Sequence, residues 1–87
     1  MAIQTKGDER PESTKAKVRD ILVDVSWRSI AAGYFHKSVS WFYQRLNGID
    51  GNGKPTDFTP EEREQLRGAL CDLAERIRRA ADNLAED

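Results

Sequence analysis

Thr59-Pro60-Glu61-Glu62 opens the one stretch of this sequence that admits a single structural reading. A threonine hydroxyl can accept from the backbone N–H three residues on, and the glutamate there can reach back to the threonine N–H. Proline at the first helical position gives up only a donor that would have had no partner. Beyond it, Leu66, Leu70, Leu73, Ile77, Ala80 and Leu84 follow at steps of 4, 3, 4, 3 and 4, a seam along one side of a helix. The pattern predicts one helix over 59–85. At about 1.5 Å per residue it would be on the order of 40 Å long, whereas a compact chain of this length has a radius of gyration of about 12 Å. Such a helix overhangs its own domain. Ala69, Ala74 and Ala81 widen its apolar face, so the start is expected to pack on the rest of the chain and the later seam on a second copy. Leu70, Leu73, Ile77 and Leu84 are the expected packing and dimer residues, and a homodimer is the expected state. A bend at Gly68 or fraying after Ile77 would shorten the helix instead.

Upstream, three shorter helices follow from caps and periodicity. Val18, Ile21, Leu22 and Val25 fall at i, i+3, i+4 and i+7 behind Ser13, which predicts a first helix. Ser26 offers a second cap, after which Trp27, Ile30, Ala31 and Tyr34 repeat the spacing. Phe35, His36 and Lys37 break it. Ser38 then caps a third helix with Val39, Phe42 and Leu46 on its buried face, ended by Asn47-Gly48. Gly48, Gly51, Gly53 and Pro55 make 49–58 a loop in which a short hairpin fits. Residues 1–12 hold only Met1 and Ile3 as large apolar side chains, too little to anchor them, so they read as a disordered tail and 13–87 as a single all-α domain of four helices.

Composition removes several function classes. The chain has 87 residues, enough for one domain with a thin stability margin. No apolar run approaches the roughly 20 residues that span a bilayer, and Met1–Glu12 lacks the apolar core of a leader, so no membrane partner is expected and the cytoplasm is the expected location. Cys71 is the single cysteine, which rules out an internal disulfide and multi-cysteine zinc sites. Asp50, Asn52 and Glu61 occupy positions 1, 3 and 12 of a notional calcium loop, but Lys54 and Pro55 stand at positions 5 and 6, so no metal is expected. His36 and Cys71 fall on different elements, with Cys71 expected to be a small buried thiol beside the seam and His36 a solvated or capping residue of the turn. No phosphate loop or dinucleotide fingerprint appears. Neither a catalytic activity nor a cofactor is expected.

Charge is segregated. The formal net charge is −1, but between Ser26 and Lys54 the basic Arg28, Lys37, Arg45 and Lys54 face only Asp50. From Pro55 onward nine acidic residues outnumber five arginines. Arg76, Arg78 and Arg79 lie among Asp72, Glu75 and Asp82, the pattern of a solvated, ion-paired face. Any contact with phosphate therefore belongs to the middle of the chain.

That middle, Ile30-Ala-Ala-Gly-Tyr-Phe-His-Lys-Ser-Val-Ser-Trp-Phe-Tyr-Gln-Arg-Leu-Asn-Gly48, resembles the helix-turn-helix of Cro and phage-repressor-type regulators. Ala31 stands where the family keeps a small residue for close helix crossing, Ser38 where it caps the recognition helix, and Asn47-Gly48 where that helix ends. The turn around Phe35–Lys37 is about one residue longer than the family's, and Arg45 stands where an aliphatic residue is usual. The whole chain also resembles a group of short bacterial proteins of unknown function. They share its Ser26-Trp-Arg-Ser-Ile-Ala31 segment, its Leu46-Asn-Gly-Ile-Asp-Gly-Asn-Gly-Lys54 loop and its Phe58-Thr-Pro-Glu-Glu62 helix start.

The first resemblance implies a small double-stranded DNA-binding regulator with its recognition helix in 26–48. Gln44 can pair with adenine through two hydrogen bonds, Ser40 can meet a base edge or a phosphate, and Tyr43 shares their outward side. Arg28, Lys37, Arg45 and Lys54 are the expected phosphate contacts, with the backbone donors at Ser38 beside them. An ordinary three-helix core needs the same caps, and Trp41-Phe42-Tyr43 equally suits a protein interface, so an adaptor that binds another protein stands as the alternative.

Overall fold

The computed structural model describes residues 13–85; the expected tail 1–12 and residues 86–87 lie outside them. The architecture is all-α. Helix α1 (Thr14–Lys17) is followed by a 3-10 turn (Arg19–Ile21), α2 (Trp27–Ile30), a π-helical turn (Ala31–Phe35), α3 (Val39–Asn47) and the long α4 (Pro60–Ala85). Among the described residues there is no strand, only an isolated antiparallel bridge between Ile49 and Pro55 that closes a small hairpin.

The side-chain caps sit where the sequence puts them. Ser13, Ser26 and Ser38 accept from the backbone N–H groups of Ala16, Ser29 and Trp41 at 3.1, 3.2 and 3.1 Å. Thr59 and Glu62 form both halves of the capping box, 2.9 and 3.1 Å. Each satisfies a donor that the first helical turn leaves without a partner.

The first helix departs from expectation. The spacing predicts one helix through Val25, but α1 ends after one turn at Val18 and the chain tightens into i→i+3 bonds, Ile21 N–H to Val18 at 3.0 Å and Leu22 N–H to Arg19 at 3.2 Å. The cause is tertiary. The Trp27 indole N–H donates to the Leu22 carbonyl at 2.8 Å, and that carbonyl is one a continuing helix would have used. The stripe keeps its burial: Val18 is buried and Ile21, Leu22 and Val25 pack on the core.

The second segment is interrupted too. After Ile30 the backbone widens into a π turn, closed by the His36 and Lys37 N–H groups on the Ala31 carbonyl. A π turn takes up one residue more than an α turn. His36 then adopts the left-handed conformation at φ 56°, the only non-glycine residue with positive φ among those described, and the helix cannot continue through it.

The core is aromatic. Phe42 is fully buried at its centre, stacked on Trp27 at 5.5 Å between ring centroids and edge-on to Phe58 at 5.1 Å and Phe35 at 5.8 Å. Leu66 and Ala69 close it from α4. Phe58 lies in what reads as a polar loop; a lone aromatic among glycine, asparagine and aspartate was the available signal of an inward side chain. Buried Thr14 donates to Asp57, which also lies 3.4 Å from Arg63, joining α1, the loop and α4.

Helix α4 runs without interruption through Gly68 and past Ile77 to Ala85. Leu66 and Ala69 are buried and Leu70 and Leu73 are half-buried against the core, whereas every residue from Ala74 to Ala85 is exposed. The radius of gyration, 15.2 Å, exceeds the roughly 12 Å of a compact chain, as an overhanging helix requires.

Candidate nucleic-acid interface

Helix α3 stands apart because of what flanks it. His36 turns the chain, Ser38 restarts the helix, and Gly48, at φ 86°, ends it with its N–H on the Gln44 carbonyl at 2.9 Å. Between those stops Phe42 and Leu46 face the core, and Val39 is half-buried at its edge. At 100° per residue the positions opposite Phe42 are Ser40, Gln44 and Asn47, with Lys37 just before the helix on the same side. This ridge is polar and Ser40, Asn47 and Lys37 are exposed.

The expected contact residues separate into three groups. Ser40, Lys37, Arg28 and Lys54 are exposed, and Tyr43 is 41% exposed while its ring edge meets Phe42. Ser38 is exposed, but its hydroxyl is committed to the cap. Gln44 is half-buried because the hairpin rises beside it: a Cβ added to Gly51 would stand 3.6 Å from its amide nitrogen.

Arg45 does not belong with the phosphate contacts. Its guanidinium donates to Thr56 Oγ1 at 2.7 Å, lies over the Trp41 ring at 4.8 Å and approaches Glu62 at 3.8 Å, with its Nε buried. It braces α3 against the hairpin and the start of α4. Its stem packs and its head finds partners. Lys37, one turn before Trp41, also lies over the ring, at 5.5 Å. Lys15, from α1, donates to Asn47 at 3.2 Å and adds a cation at the far end of the ridge that sequence reasoning missed. Spacing could not have found it, since the two residues meet only through the fold.

Other features resolve into structure. Asp50 accepts from the N–H groups of Asn52 and Lys54 at 2.8 and 2.9 Å, so its carboxylate organises the hairpin. No group of three or more histidine, cysteine, aspartate or glutamate side chains among the described residues is placed to hold a metal. Cys71 is exposed rather than buried, because it sits on the flank of α4 beside the seam and not on it. Tyr34 donates to Asp72 and accepts from Arg76 at 3.1 Å, tying the π turn to the middle of α4. The hydrogen bond to Asp72 holds its phenol above the ordinary pKa, with burial adding to the rise and Arg76 opposing it. No helix among the described residues is long and apolar enough to cross a membrane.

Fold and site together define a small all-α protein in which a separately capped short helix presents a polar ridge and a long helix projects beyond the core. The chain belongs to the DUF5053 family, a domain of unknown function, whose pattern matches residues 14–84. That agrees with the expected likeness to short uncharacterised proteins and carries no Cro-type signature. No curated protein and no solved structure matches the chain.

Proposed function

We propose that this chain binds double-stranded DNA, with the outward ridge of α3 in the major groove. The observation that carries the reading is the left-handed break at His36 followed by a fresh cap at Ser38. It makes α3 an independent short helix with one side packed and the opposite side polar. In this reading Ser40 and Gln44 meet base edges, Lys37 and Lys54 meet phosphates near the two ends of α3, and Arg28 contacts the backbone from α2. Arg45 positions the helix and touches no nucleic acid. The net charge of −1 is compatible, because Arg28, Lys37, Arg45 and Lys54 face only Asp50 between Ser26 and Lys54, while nine of the acidic residues lie from Pro55 onward.

Fluorescence anisotropy of a labelled mixed-sequence duplex tests it. Affinity should fall linearly on a log–log salt plot with a slope of about −3, set by three cations at roughly −0.9 each. Lys37→Ala should weaken all duplexes and flatten that slope by about 1, while Gln44→Ala should leave the slope alone and cost about 1–3 kcal/mol only on preferred sequences. No salt-sensitive binding at about 50 mM salt and near-millimolar protein would remove the DNA reading. The adaptor reading draws on a different observation, the exposed Ile77 and Leu84 of α4.

A further inference from the structure

The seam of α4 leaves the core without changing character. Leu73 packs on the core, but Ile77 is 60% and Leu84 85% exposed on the same stripe, with Ala80 between them and Ala81 beside it. Next to this ridge lies a cavity of about 600 Å³ lined by the apolar Val25, Ile30, Leu73 and Ile77 together with Ser26 and Ser29. Asp24 and Arg76 stand on its rim. One molecule therefore carries both an uncovered apolar ridge and an unfilled groove of matching chemistry, side by side.

We propose that a second copy of this chain fills that groove, the two α4 helices crossing antiparallel near Ile77 so that each lays its Ala80–Leu84 end into the cavity of the other. Self-complementarity of this kind is what a two-fold interface demands, because the same patch must serve both partners. Charge favours the same occupant. Between Ala74 and Ala85 the arginines Arg76, Arg78 and Arg79 outnumber Glu75 and Asp82, and Arg78 and Arg79 have no ion-pair partner among the described residues. Asp24, on the groove rim, has none either. Antiparallel crossing at Ile77 sets Arg79 of the second copy against Glu75, and Arg78 at the level of Arg76, which Asp72 already partners, and of Asp24, which lines the same cavity. Parallel pairing would instead set each arginine against its own mate. Gly33 lines the groove without a side chain, and a Cβ built there meets nothing within 4 Å. The proposal stands apart from DNA binding, since none of these residues lies on the α3 ridge.

Sedimentation equilibrium of the full chain, with the position of an engineered cross-link, tests it. The native chain should sediment as a dimer at tens of micromolar, and Ile77→Glu should raise the dissociation constant by about 30-fold or more while leaving the helical circular dichroism intact. In a Cys71→Ser background, Ile77→Cys should form a disulfide-linked dimer on mild oxidation and Leu84→Cys should not, because only Ile77 faces its own mate in an antiparallel pair. Asp24→Arg should weaken the dimer, and adding Arg78→Asp should restore it. A monomer at these concentrations, cross-linking at Leu84→Cys, or failure of the charge reversal to restore association would each overturn the proposal.

Discussion

The two halves of α4 share one pattern and have opposite surroundings. From Pro60 to Leu73 the helix is capped by Thr59 and Glu62, buries Leu66 and Ala69, and lies against Phe42, Phe58 and the π turn. From Ala74 to Ala85 the same spacing of leucine, isoleucine and alanine runs on with every residue exposed. The contrast teaches that a periodic stripe fixes which side chains line up, while the number of elements available decides which of them are covered. Three short helices offer cover for about half of a 26-residue helix.

Mutations that should be strongly unequal along this divide can break the comparison. Phe42→Ala removes the ring at the centre of the aromatic cluster and should cost about 3–5 kcal/mol in urea denaturation. That is a large share of the roughly 4–13 kcal/mol expected of a domain this small, at about 0.05–0.15 kcal/mol per residue. Thr59→Ala removes the hydroxyl that accepts from Glu62 N–H and should cost about 1 kcal/mol, read as a lower thermal midpoint with the helix still formed. Ile77→Ala should change the stability of the dilute monomer by less than about 0.5 kcal/mol, because the side chain touches solvent more than protein. A loss at Ile77 comparable to that at Phe42 would mean that the overhang is part of the monomer core.

Local signals carried most of the fold. Ser13, Ser26, Ser38 and Thr59 are legible because a cap is made within three residues, and the length of α4 follows from a stripe that nothing interrupts. What sequence reasoning missed depends on partners distant in the chain. The first helix stops early because Trp27 captures the Leu22 carbonyl, a contact no periodicity contains. Arg45 reads as a free cation until Thr56 and Glu62 are placed around it, and Phe58 reads as loop until the ring cluster closes. The exposure of Ser40 and Lys37 beside α3 follows from its periodicity, whereas Lys15 entered only through the packing of α1 on α3.

Amide hydrogen exchange along α4, recorded at two protein concentrations, tests most directly whether one helix serves a core with its first half and a partner with its second. The account predicts amides of Leu66 to Leu73 that open only with global unfolding at either concentration. Those of Ala74 to Ala85 should exchange quickly in dilute solution and slow as the concentration rises. Uniform protection from Leu66 to Ala85, indifferent to concentration, would contradict it.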